Sequence, residues 1–123
     1  MIVGIGCDII EIERVAKAVA KDGFKERVFT PGEIAYAEGR GKQAAASFAA
    51  RFAAKEAVLK ALGTGLRGGS LLEIQVVSDE LGKPSLELTG YHKELAQRLG
   101  ITRWQLSLSH SRDNAMAYVV AEG

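Results

Sequence analysis

The sequence predicts an α+β fold in which a small antiparallel sheet packs around one long central helix. Three observations predict it. In the alanine-rich run Ala44–Leu62, the residues Phe48, Leu59 and Leu62 fall within about 80° on one side of Phe52 at the helical period. Ile2–Ile10 has the composition of a buried strand. Two strand pairs lie towards the end of the chain: a hairpin of Leu72–Val77 with Ser85–Thr89, and a pair of Trp104–His110 with Ala115–Ala121. With 123 residues and neither internal repeat nor linker, residues 1–123 read as a single domain.

Along Ile2–Ile10, alternation places Val3, Ile5, Cys7 and Ile9 on one face and Gly4, Gly6 and Asp8 on the other. Asp8 thus sits on a face that two glycines leave open, either as a ligand or as the N-cap of the helical pattern that follows. That helix runs from about Glu11 to Asp22, with Ile12, Val15, Ala16 and Val19 on its apolar side. Arg14, Lys17, Lys21 and, if the helix continues, Lys25 gather opposite, away from Glu11 and Glu13. Solvated faces usually mix their signs. The acid-free stripe fits either a docking surface for an acidic partner or an incidental charged face.

Thr30-Pro31-Gly32-Glu33 forms a capping box with proline at the first helical position, and a short helix follows through Ile34, Tyr36 and Ala37 to about Gly39. Gly39–Lys42 is a flexible basic loop, able to meet phosphate or simply to link. In the central helix the charges sit oddly. Lys55 falls inside the apolar stripe, and Glu56 lies only about 40° beyond its edge. Ionised groups beside a core are costly unless paired or metal-bound. Glu56 is therefore either half of an i,i+4 pair with Lys60 or a cation ligand in a polar cavity.

Gly63 ends this helix, and Thr64–Gly69 is a glycine-rich connection. It is not a P-loop, because its glycines follow the helix and no Gly-Lys-Ser/Thr triplet occurs. Asp79–Pro84 turns the hairpin. Tyr91–Leu99 is a short helix stopped by Gly100, and His92 on it is read as a surface residue. In the next strand Trp104, Leu106, Leu108 and His110 alternate with Gln105, Ser107 and Ser109. His110 beside Arg112 can contact a phosphate, although a structural histidine at a strand end is the commoner case.

A formal net charge of +1 argues against bulk affinity for nucleic acid. The single cysteine, Cys7, excludes an intrachain disulfide framework and fits a reducing compartment. The apolar start MIVGIGCDII is broken by Asp8 and lacks a basic leader, so neither a signal peptide nor a membrane span is expected, and a cytoplasmic protein is the default. One cysteine and two histidines make a structural zinc site a poor fit, and no Gly-x-Ser-x-Gly elbow is present. What remains is a pair of carboxylates, Asp8 and Glu56, with basic residues around them. Hard oxygen ligands favour Mg²⁺, which commonly takes one or two carboxylates plus phosphates and water. The residues alone point to a Mg²⁺-dependent phosphate enzyme. A nuclease or phosphodiesterase, or a non-catalytic module docking an acidic helix, are the rivals.

The segments Gly4-Ile5-Gly6-Cys7-Asp8-Ile9 through Arg14, and Phe52-Ala53-Ala54-Lys55-Glu56-Ala57 through Lys60-Ala61-Leu62-Gly63-Thr64-Gly65, resemble the two signatures of the holo-[acyl-carrier-protein] synthases, the short-type 4′-phosphopantetheinyl transferases. Thr30-Pro31 with Glu33, and Leu106-Ser107-Leu108-Ser109-His110-Ser111, are similar to the same family. The resemblance implies a 4′-phosphopantetheinyl transferase-like fold. The implied activity is transfer of 4′-phosphopantetheine from coenzyme A to a serine of apo acyl carrier protein, in support of fatty acid biosynthesis. By the family pattern Asp8 and Glu56 hold Mg²⁺, and Lys60 serves the diphosphate or the leaving group. Lys42, Arg51 and His110 match positions near the nucleotide and its 3′-phosphate, and Gly63 belongs to the coenzyme-binding signature. Arg14 matches a docking arginine, which Lys17, Lys21 and Lys25 extend towards an acidic carrier protein. The larger, two-lobed transferases carry Asp-x-Glu, but Ile9 and Ile10 follow Asp8 here, which supports the short type. Short-type members are typically homotrimers with sites between subunits.

Overall fold

The computed structural model describes residues 1–123. In chain order it contains β1 (Ile2–Glu11), α1 (Ile12–Val19), α2 (Phe24–Val28), α3 (Pro31–Glu38), α4 (Ala44–Leu62), β2 (Ile74–Ser78), β3 (Pro84–Leu88), α5 (Gly90–Arg98), β4 (Arg103–His110) and β5 (Asn114–Glu122). β1, β5 and β4 form an antiparallel sheet in that order, and β2 with β3 forms a separate hairpin. The expected α+β architecture around a long central helix is what the chain adopts.

Helix α4 packs on one face of the three-stranded sheet, along β1 and β5. Its alanines explain how close it comes. Ala53, Ala54 and Ala57 are fully buried, as are Ala117, Val119 and Ala121 on the facing side of β5. On β1 the approach is closer still: a Cβ on Gly6 would overlap the carbonyl oxygen of Ala57, and one on Gly4 would overlap that of Ala61. Only glycine lets strand and helix backbones meet in this way.

Alternation separates the two faces of β1 but does not say which is covered. The glycine face is open to the helix, not to a cavity, and the apolar face is the exposed one. Ile5 is 56% and Ile9 66% exposed, and the register brings Cys7 opposite Tyr118 and Ile9 opposite Met116 on the same outer surface. The apolar stripe read on α4 is likewise too narrow. The helix is buried on nearly every side, because alanine covers the remainder of its circumference.

Two differences from the expected elements bear on the charged residues. Helix α1 stops at Val19 instead of Asp22, and the chain turns before α2, so the helix does not continue to Lys25. The loop expected at Gly39–Lys42 contains a short 3-10 turn over Gly41–Gln43. The capping box is present as expected: Glu33 N donates to Thr30 Oγ1 at 3.2 Å, and Thr30 N donates to Glu33 Oε1 at 2.9 Å. His92 is corrected outright. It is fully buried, because the start of α5 faces inward against the segment before β2.

Candidate active site

Asp8 points from the glycine face of β1 towards the last two turns of α4, where Glu56 and Lys60 lie one turn apart. Lys60 does not pair back to Glu56. Its ammonium donates to Asp8 Oδ1 at 3.0 Å and to the carbonyl of Cys7 at 2.9 Å. Partial burial pushes the Glu56 carboxyl above its ordinary range, the Asp8 charge pushes it further, and Lys60 offsets part of the rise. A carboxylate raised by burial and by a neighbouring acid, with the one nearby ammonium bonded to that neighbour, is a fit ligand for a cation. The donor set is all oxygen and contains no third histidine, cysteine or carboxylate, which fits Mg²⁺ better than zinc.

A second cluster forms around Arg51. The guanidinium is 3% exposed, with one Nη donating to Ser78 Oγ at 2.8 Å and the other to Ser47 Oγ at 3.3 Å. It stacks 4.0 Å above the Tyr36 ring, and Arg40 stands 5.7 Å from the same ring. Burial pushes the Arg51 pKa down, no carboxylate pairs with it, and its Nε lacks a protein partner. A buried guanidinium without a counter-ion is a site for an anion. It lines a cavity of about 170 Å³ with Tyr36, Arg40, Ser78 and His110. Lys42 is exposed and lines an adjoining hollow with His110 and Arg112.

The sequence-predicted residues therefore fall into two groups. Asp8, Glu56 and Lys60 come together; Arg51 and His110 line one cavity elsewhere, and Lys42 joins His110 in the hollow next to it. Nine positions of helix separate Arg51 from Lys60, which at 100° and 1.5 Å per residue puts them on opposite sides of α4 and about 13 Å apart along it. Gly63 takes the left-handed conformation that closes α4, one turn beyond Lys60. Arg14, Lys17 and Lys21 are exposed, with Lys17 3.9 Å from Glu13, so the stripe is less free of acid than its register implied. Lys25 lies apart from them on α2 and is tied to Glu38 at 2.7 Å.

Residues 4–119 match the family model of the 4′-phosphopantetheinyl transferase superfamily. The chain belongs to this superfamily. Within it, the holo-[acyl-carrier-protein] synthase of Clostridium tetani is 48% identical over 124 residues, covering 100% of this chain and 98% of that protein. A crystal structure of the holo-[acyl-carrier-protein] synthase from Neisseria meningitidis superposes with a TM-score of 0.88 at 40% identity and full coverage of both chains. The Bacillus anthracis synthase, solved in complex with CoA (3′,5′-ADP), gives 0.81 at 42% identity, covering 98% of this chain and 96% of that one. The transferase fold expected from the two signatures is borne out along nearly the whole length.

Sequence reasoning missed the residues that hold Arg51 in place. Ser47 is legible in principle, since it stands one turn before Arg51. Tyr36 and Ser78 approach Arg51 only through tertiary packing and carry no local signal. Lys55, whose place in the signature left its role open, is fully buried: it donates to Glu33 Oε1 at 2.8 Å, to Leu71 O at 2.8 Å and to Ile74 O at 2.6 Å. Its neighbour Glu56 is thereby turned about 100° away, towards Asp8.

Proposed function

We propose that this chain transfers 4′-phosphopantetheine from coenzyme A to a serine hydroxyl of apo acyl carrier protein. The serine oxygen forms a bond to the pantetheine-side phosphorus, the bond to the bridging oxygen breaks, and adenosine 3′,5′-bisphosphate leaves while the hydroxyl proton is released. The observation that carries the reading is the meeting of Asp8, Glu56 and Lys60 where β1 crosses α4, in a chain with full-length similarity to holo-[acyl-carrier-protein] synthases.

Asp8 and Glu56 are the residues that would hold Mg²⁺, which when bound offsets charge on the diphosphate. Lys60 places an ammonium beside the same carboxylates, free to turn a donor towards a phosphate oxygen or the leaving group. Arg51, with Lys42 and His110 beside it, supplies fixed positive charge for the nucleotide phosphates, and the two serines and Tyr36 keep its guanidinium from rotating. Gly63 presents backbone next to the first group.

A homotrimer with composite sites fits two features of the chain. The two groups lie on opposite sides of α4, so a second copy supplying one of them would let one coenzyme A molecule meet both without wrapping the helix. The outer face of the sheet, with Ile5, Ile9 and Tyr118, is exposed and apolar in the single chain. No helix is long and apolar enough to cross a membrane, and a cytoplasmic location fits the single unpaired cysteine.

Apo carrier protein incubated with this protein, coenzyme A and Mg²⁺ is expected to gain the mass of one phosphopantetheinyl group. No adduct on any carrier protein tested would refute the reading. For docking, exchanging Arg14 and Lys21 for Glu together is expected to raise the KM for carrier protein about tenfold or more, steeply at low salt, and to leave the KM for coenzyme A unchanged. Equal changes in both would remove α1 from the interface.

A further inference from the structure

The dyad Glu73–His92 has no part in the chemistry above, yet it joins a fully buried imidazole to a half-buried carboxylate. His92 is fully buried, and its Nδ1 stands 2.8 Å from Glu73 Oε1. The same oxygen accepts the His92 backbone N–H at 3.2 Å, so Glu73 also caps the start of α5, where Thr89 makes no side-chain cap. Burial works against the Glu73 carboxylate, but hydrogen bonds from His92 and from the Tyr91 backbone outweigh it and hold it below the ordinary range. An ionised carboxylate only accepts, so Nδ1 is the protonated nitrogen. That leaves Nε2 buried with no protein partner.

Directly over this dyad lies the end of the glycine-rich connection. A Cβ at Gly69 would stand 2.6 Å from Glu73 Oε1 and 2.7 Å from His92 Cε1, and one at Gly68 would stand 3.0 Å from the Tyr91 ring. The other end behaves differently: at Gly63 and Gly65 a Cβ would meet nothing within 4 Å. The connection thus packs closely on the dyad and Tyr91 at Gly68–Gly69 and is open where it leaves α4, beside Lys60. Helix capping alone does not account for an imidazole here. Glu73 could cap α5 without it, and a leucine of similar size would bury the same volume without an unpaired nitrogen, which destabilises a fold.

We propose that His92 is a positioning residue for coenzyme A binding: through Glu73 it anchors Gly68–Gly69, so that Thr64–Gly69 is already ordered when the ligand arrives. The inference rests on the transferase reading, in which Gly63 and its surroundings meet coenzyme A. Ordering a loop before binding removes an entropic cost otherwise paid on association. His92→Leu keeps the volume but removes the donor to Glu73, whereas His92→Asn places an amide N–H near the position of Nδ1.

The test combines hydrogen exchange of the 64–69 amides in the free protein with steady-state kinetics and thermal melting. His92→Leu is expected to speed that exchange and raise the KM for coenzyme A about tenfold, the ordering entropy of roughly one residue, without lowering Tm. His92→Asn is expected to restore both quantities, and Gly69→Ala to reproduce the leucine variant by displacing the loop from above. Unchanged exchange in His92→Leu overturns the anchor. So does a KM rise that Asn fails to reverse, or one that simply follows a loss of Tm. A wild-type chain that transfers nothing overturns the transferase reading and this inference with it, and that outcome is distinct from a wild type that transfers while the leucine variant behaves like it.

Discussion

Glu56→Gln is expected to abolish phosphopantetheinyl transfer, by at least about a hundredfold, while raising the thermal stability of the metal-free protein at neutral pH. Both effects come from one feature. Burial and the neighbouring Asp8 raise the Glu56 pKa above its unfolded value, so the folded chain binds that proton more tightly than the unfolded chain. Stability on this account is greatest below the unfolded pKa and is lost as pH rises through the raised folded one. At neutral pH the native protein therefore carries a strained carboxylate, and glutamine removes the strain at nearly constant shape. A rise in Tm of a few degrees is the expected scale for a domain of this size. The Mg²⁺ concentration for half-maximal rate should also climb as pH falls through the raised Glu56 value, because a ligand must lose its proton to bind. Full activity in Glu56→Gln would remove the metal assignment. A fall in Tm would mean that Glu56 is not strained.

Lys55→Met is expected to cost about 3–5 kcal/mol of folding stability, against a total of about 5–15 kcal/mol for an ordinary domain, and to lower the urea midpoint accordingly. Lys55 and Glu33 are both essentially inaccessible. Burial pushes the Lys55 ammonium down, and Glu33 pulls it back. Every N–H of the ammonium has an acceptor, and Glu33 accepts the Thr30 and Val76 backbone N–H groups besides, so α3, α4 and β2 meet at this one pair. Methionine fills the space of the lysine stem but leaves a carboxylate buried without its counter-ion. Adding Glu33→Gln to Lys55→Met removes that charge and should recover on the order of 1–2 kcal/mol, less than full recovery because one amide oxygen cannot replace two carboxylate oxygens. Additive losses in the double variant would show that the two side chains are not coupled.

The elements themselves were legible because their signals are local. The capping box at Thr30 and Glu33, the bounds Ala44 and Leu62 of the central helix, and the C-terminal strand pair all follow from spacing and turn chemistry within a few residues. Errors came where a side chain's partner is remote. His92 carries surface-like periodicity on a short helix, and only Glu73, nineteen positions earlier, draws it into the core. The continuous basic stripe failed because a chain turn ends α1 before Lys25, and Glu38 then captures that lysine. Alternation along β1 separated its two faces correctly, but period alone does not say which face a helix will cover, and two glycines admit a backbone that Cβ atoms would exclude.

By itself the sequence determined the α+β class, the order of the elements, membership of the transferase superfamily and the two carboxylates worth attention, since each rests on local spacing or on a contiguous signature. The tertiary structure decided what the charged residues touch. It gave Lys60 to Asp8 instead of Glu56, sent Lys55 into a buried pair with Glu33, and set Arg51 with Tyr36 and Ser78 on the far side of α4 from the carboxylates. The physical reason is the same in each case. A charge is settled by whichever opposite charge or dipole burial brings within about 3 Å, and that neighbour is chosen by packing between segments distant in the chain.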